Sequence, residues 1–199
     1  MLRNVMGVAI MILGLAVFLG VHVVPTMREQ RAGLIARFGE QPYKGLFAVV
    51  SLIGIILIGY GFARYRAAGY IELGHPPSWT RHLNNILMWP AIVCVVAAYI
   101  PGDIKRVLKH PMLVGVKLWA LAHLIANGDL GSIILFGSFL AWAVYDRITL
   151  KRRSDPGAPE LPSAGHGNDV MAVIVGTLLY LALGFWFHPY VIGVPAFAR

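Results

Sequence analysis

The residues whose types could do chemistry are few: His22, His110, Lys117, His123, Asp129, Asp146 and His188 all lie in or against apolar runs of the sequence. An ionisable group held at the centre of a bilayer costs about 2.5–3.5 kcal/mol on insertion scales, so each such group calls for a function or a partner. The stretch KHPMLVGVKLWALAHLIANGD, residues 109–129, carries most of them. On a helix, Met112, Val116, Trp119, His123 and Asn127 form one stripe, spaced four, three, four and four residues apart, while His110 and Lys117 share another face. Neutral imidazole is a common haem ligand, and two histidines from different helices can clamp a haem between them. His22 and His123 are the candidate metal ligands, with His110, Trp119 and Asn127 as further cofactor contacts. Either histidine could instead hydrogen-bond a neighbouring helix. No C-x-x-C-H attachment pattern occurs, so a haem would be held noncovalently. Lys117 reads as a snorkelling or carbonyl-paired lysine, or as the partner of a carboxylate.

The elements that must position these groups follow from composition. With 58% hydrophobic and 13% charged residues, the 199-residue chain lies outside the range of soluble domains. Its mean hydropathy of +0.69 points to a bilayer as its solvent. Apolar runs at 5–24, 46–63, 85–100, 111–126, 130–146 and 170–188 predict an all-α, polytopic transmembrane bundle of about six helices, five to seven, in a single domain over 1–199. The third and fourth runs are the weakest. The first follows Arg3 as a signal peptide would, but no small-residue cleavage pattern comes after it, and it reads as the first span. The polar, Pro/Gly/Ser-rich segment 151–169 is a solvated linker between spans five and six.

A net charge of +8 would suggest nucleic acid in a soluble protein, whereas in a membrane protein it marks loops beside anionic lipid, and no nucleic-acid partner is expected. Alternating spans put Arg28, Arg31, Arg37, Lys44, Lys105, Arg106, Lys109, Arg147, Lys151, Arg152 and Arg153 on one side, eleven in all. Arg3, Arg64, Arg66, Arg81 and Arg199, five in all, fall on the other. The bias predicts a cytoplasmic 151–169 linker and both termini on the opposite, periplasmic side. Measured from Arg28 and Lys109, His22 lies about 9 Å deep and His123 about 20 Å deep, an offset of about 11 Å that helix tilt would have to absorb. His110, at the interface, is then the alternative ligand or a partner for haem propionates.

The remaining polar groups have simpler readings. Cys94, flanked by Ile92, Val93, Val95 and Val96, is a buried structural thiol. His75 and His82 lie in a solvated loop, and His166 lies in the linker. His188, within FWFHPY, reads as an interfacial histidine in an aromatic belt with Trp186 and Tyr190. Asn127, Gly128 and Asp129 suit a helix terminus and turn. Asp146 is a candidate ion-pair partner for Arg147 or Lys117. Trp89, Trp119 and Trp142 are packing residues or pocket walls.

Three segments, 20–58, 79–91 and 109–147, resemble the NnrU family of bacterial membrane proteins. The most specific part is HPxLxGxxxWAxAHLxANGD with a downstream DR, here running from His110 to Asp129 with Asp146 and Arg147. The resemblance implies a multi-pass protein of the bacterial inner membrane with a link to nitrite and nitric oxide reduction in denitrification. The family is in turn similar to the plastid zeta-carotene isomerases, haem b proteins that isomerise a cis double bond of a carotene precursor. Their two histidine motifs match His22 and His123, which implies haem b on those residues. Their cysteine three residues before the second histidine is Ala120 here, so a haem site is compatible with the sequence while isomerase chemistry is in doubt. The implied ligand is a hydrophobic small molecule or nitric oxide. Two other classes compete: a noncatalytic accessory protein of a respiratory complex, and an S-adenosylmethionine-dependent membrane methyltransferase, whose R-H-P-x-Y-x-G motif the K-H-P-x-x-x-G stretch resembles. In the latter the motif's tyrosine is absent.

Overall fold

The computed structural model describes residues 2–153 and 166–197. Among these residues eight α-helices follow in order: α1 (Leu2–Val23), α2 (Arg28–Phe38), α3 (Glu40–Ala67), α4 (Trp79–Ala97), α5 (Asp103–Leu108), α6 (Pro111–Ala126), α7 (Leu130–Lys151) and α8 (His166–Ala182). The last continues without interruption as a π-helical segment, Leu183–Ile192. Residues 154–165, most of the linker, lie outside the described residues. At its edges Lys151 still belongs to α7, and His166–Asp169 already belong to α8. Among the described residues, four helical segments are long and apolar enough to cross a membrane: Asn4–Thr26, Glu40–Ala67, Leu130–Lys151 and His166–Ile192. The helices at the two weakest runs, α4 and α6, are shorter or less apolar, yet they pack inside the bundle, α4 lying against both α6 and α8. The protein is an all-α, multi-pass membrane bundle, as the six apolar runs predict.

Two short helices, α2 and α5, stand outside the apolar runs. The sequence REQRAGLIARF of α2 is too polar to enter lipid, and it contributes no buried residue. A 3₁₀ turn at Val24–Thr26, with Pro25 at its start, separates it from α1. Gly39, at φ 87°, a value that favours glycine, turns the chain into α3.

Small residues hold the helices together. In lipid, apolar side chains gain little by leaving one apolar surrounding for another, so close backbone approach supplies the contact energy. Gly7 and Gly14 of α1 face Gly61 and Gly54 of the antiparallel α3. A Cβ added at Gly14 would sit 2.6 Å from the Ile58 nitrogen and 2.9 Å from the Gly54 oxygen. Elsewhere Gly115 of α6 meets the Ala91 carbonyl of α4, where a Cβ would stand 2.7 Å away, and Gly176 of α8 meets Val93 of α4. Between these pairs sits an apolar core of Met11, Leu15, Ile58, Ala120, Leu135, Phe136 and Phe139. The outer faces of α3, α8 and the π-helical segment expose Leu46, Val49, Leu52, Ile56, Leu178, Phe185 and Trp186, as lipid-facing surfaces do.

Polar contacts close the two ends. At the end that carries α2 and α5, the Asp169 carboxylate accepts the backbone N–H groups of Asp103 at 3.1 Å and Ile104 at 3.0 Å, capping α5 from the first turn of α8. Asp103 and His166 approach the same carboxylate, with potential metal-ligand atoms within 4.8 Å of one another. Both Asp169 oxygens are already occupied and His166 is almost fully exposed, so the trio is a helix cap. Asp169→Ala should cost about 1 kcal/mol through the loss of the cap, read as a lower midpoint of thermal unfolding in detergent. At the opposite end the loop after α3 lies on the turn between α6 and α7: Leu73 and Gly74 N–H groups donate to the Gly128 carbonyl, and Leu130 N–H donates to the Ile71 carbonyl. Tyr65, fully buried, accepts the Ile71 N–H at 2.9 Å.

Candidate functional site

Asn127, Gly128 and Asp129 form the turn that the sequence suggests. Asn127 ends α6 with its side-chain amide donating to the His123 carbonyl at 2.8 Å, and buried Asp129 caps α7 by accepting the Ser132 N–H at 3.0 Å. Asn127 is thereby committed to holding the end of the helix that presents His123.

His22 and His123 share one local device. In each, Nδ1 bonds to the carbonyl four residues earlier: His22 to Phe18 at 2.7 Å and His123 to Trp119 at 2.9 Å. A carbonyl only accepts, so Nδ1 carries the proton in both and Nε2 keeps its lone pair. Neither Nε2 has a hydrogen-bond partner among the described residues. A fixed tautomer with a bare Nε2 is the form in which imidazole binds a metal.

The two rings nevertheless stand apart. His22 stacks on Phe18 with ring centres 4.2 Å apart and packs edge-on against Trp142. His123 stacks on Phe136 at 4.5 Å and sits beside Trp119 at 5.7 Å. Phe136 and Trp142 are six residues apart on α7, about 9 Å along its axis. Phe139 fills the interval, touching Phe18 on one side and Trp119 on the other. His22 and His123 are thus the ends of an aromatic row, not the jaws of one clamp. A single metal held between them does not fit this packing.

What lies beside His123 is His188. Their ring centres are 6.3 Å apart and the rings 29° from parallel. The His188 ring also uses Nδ1 locally, toward the Val194 carbonyl at 3.3 Å. It reaches this position from the π-helical segment, where Pro189 removes a backbone donor and clashes with the preceding turn, widening the helix. Sequence periodicity could not reveal the pairing, because it joins two helices far apart in the chain.

The other candidate groups lie elsewhere. His110, at the start of α6, is thirteen residues or about 20 Å from His123 along the helix. Its Nε2 is buried without a hydrogen-bond partner; burial and, after it, the charge of Arg147 hold its pKa below the usual histidine range. Lys117 forms no ion pair with Asp146 among the described residues; the Asp146 carboxylate instead meets the Thr149 hydroxyl at 3.4 Å. Cys94 is a buried free thiol, as its apolar neighbours imply. Ala120 is fully buried in the core beside α1 and α7.

Fold and site together define a polytopic helical membrane protein with imidazoles fixed inside its bundle. The family model described as NnrU protein matches residues 10–196, nearly the whole chain, and the chain belongs to that family. No curated protein and no solved structure matches it.

Proposed function

We propose that this protein binds haem b within its bundle and uses it for redox or small-ligand chemistry linked to nitrogen-oxide respiration. The observation that carries the reading is His123: a buried imidazole, walled by Trp119 and Phe136, with its tautomer fixed by the Trp119 carbonyl and its Nε2 bare. An imidazole whose Nδ1 proton is committed to a carbonyl and whose Nε2 lone pair is unused is in the form that ligates a metal. Bound haem would supply one-electron transfer and a coordination position for a ligand such as nitric oxide. The residues of the chain would supply the imidazole, its orientation and a dry aromatic surround.

Isomerase chemistry of the carotenoid type has less support. Its exchangeable cysteine has no counterpart, because the position is Ala120, buried against neighbouring helices. Family membership supports the bacterial inner membrane, and the excess of basic residues on the α2 face supports a cytoplasmic setting for that face and a periplasmic one for the termini.

The test is an optical spectrum of the detergent-purified full chain, oxidised and dithionite-reduced, before and after addition of haemin. A b-type reduced spectrum is expected. A chain that leaves stoichiometric haemin with the spectrum of free haemin in the same detergent overturns the reading.

A further inference from the structure

Helix α2 is too polar to cross a bilayer, yet the chain does not let it leave one. Its start follows the 3₁₀ turn that ends the Asn4–Thr26 span, and a single residue, Gly39, joins its end to the Glu40–Ala67 span. Those two spans are antiparallel and in backbone contact, so both ends of α2 are tied to one membrane face. Along Arg28–Phe38 every residue but Ile35 is exposed, so whatever covers the helix comes from outside the bundle.

The exposed surface is patterned. At 100° per residue, Leu34 and Phe38, with Met27 just before the helix, fall within about 40° of one another around its axis. They are 37%, 54% and 44% exposed. Arg31 edges this stripe on the side of α3, its guanidinium 5.8 Å from the centre of the Tyr43 ring. Arg37 edges the other side, 5.3 Å from the centre of the Phe38 ring. Neither arginine forms an ion pair among the described residues. Glu29, the one acidic residue of α2, falls on the opposite face with Ala32, Gly33 and Ala36.

An apolar stripe edged by guanidinium groups is the pattern of a helix lying in the interface of a bilayer, where apolar side chains reach the acyl boundary and arginine N–H groups meet phosphate oxygens. The chain then passes directly into the lipid-facing surface of α3, whose exposed Leu46 and Val49 lie within its first three turns. A protein partner fits less well. Eleven residues make a helix only about 16 Å long, far short of the roughly 800 Å² a side that a stable interface uses. Basic residues at the surface favour anionic over zwitterionic lipid.

We propose that α2 is a membrane-surface helix that binds anionic phospholipid of its own leaflet, with Met27, Leu34 and Phe38 at the acyl boundary and Arg31 and Arg37 on the lipid phosphates.

Spin labels on single cysteines test this, placed by Ala32→Cys, Leu34→Cys, Ala36→Cys and Phe38→Cys in the full chain carrying Cys94→Ala. All four positions are exposed, so the labels leave the packing of the bundle in place. Each variant is held as one copy per nanodisc, made of mixed phosphatidylglycerol and phosphatidylcholine or of phosphatidylcholine alone. In the anionic discs, collision with a neutral, water-soluble nickel chelate should be roughly fivefold or more weaker at positions 34 and 38 than at 32 and 36. The difference should shrink to less than half in phosphatidylcholine alone, and likewise in anionic discs when Arg31→Gln and Arg37→Gln are added. Equal accessibility at all four positions in anionic discs overturns the proposal. So does protection that is the same in both lipids and indifferent to the two arginines. Protection that appears only in discs holding two copies assigns the stripe to a second copy of the chain and overturns the lipid assignment.

Discussion

Gly14→Leu should lower the thermal unfolding midpoint of the detergent-solubilised protein by roughly 10 °C, corresponding to about 3 kcal/mol. The physical reason is that nothing near the new side chain can yield. Its Cβ alone would lie within 3 Å of the Ile58 nitrogen, the Gly54 oxygen and the Leu57 carbonyl carbon, all of them backbone. The helices must separate, and the contacts of Gly7 with Tyr65 and of Gly54 with Phe18 part with them. Gly59→Leu is the control: it lies on the partner helix α3 with nothing within 4 Å of an added Cβ among the described residues, and it should leave the midpoint within a few degrees of wild type. Equal effects of the two substitutions would show that helix propensity, and not close approach, sets the role of these glycines.

His123→Leu should abolish haem binding while leaving the fold in place. The ring is 8% exposed and packed on Phe136 and Trp119, a surround in which leucine is at home. The hydrogen bond it gives up goes to a carbonyl inside the same helix, so no buried group is stranded. Haem content, measured as the pyridine haemochrome of protein purified from haem-replete cells, should fall to background with the unfolding midpoint nearly unchanged. Retention of wild-type haem content by this variant would remove His123 from the site.

The fold was largely legible because a bilayer leaves the chain little choice: backbone groups must be satisfied within each segment, so apolar runs become helices. The six runs recur as α1, α3, α4, α6, α7 and α8, extended at their ends where polar residues continue the helix beyond the apolar stretch. Helices α2 and α5 escaped because they are polar and short. The stripe through Trp119, His123 and Asn127 is real in the sense that the three are linked, Nδ1 of His123 to the Trp119 carbonyl and Asn127 to the His123 carbonyl. What periodicity could not give is the register between helices. That register is set by contacts such as Gly115 on Ala91 and Gly176 on Val93, and by the widened turn at Pro189. For that reason His188 read as a belt residue from its aromatic neighbours alone, while the structure sets its ring against His123.

The glycine-lined seam between α1 and α3 also sets an order of assembly during synthesis. Its two halves are separated only by a short turn and α2, and they meet backbone to backbone without help from any later helix. Once residue 67 has left the ribosome, this antiparallel pair has every partner it needs, so it can lock while the rest of the chain is still being made. Helix α7 then docks on a surface that already exists, setting Phe139 against Phe18 and Trp142 against His22. His188 arrives last, from the final helix. The contact between the His123 and His188 rings therefore forms only when almost the whole chain has been inserted.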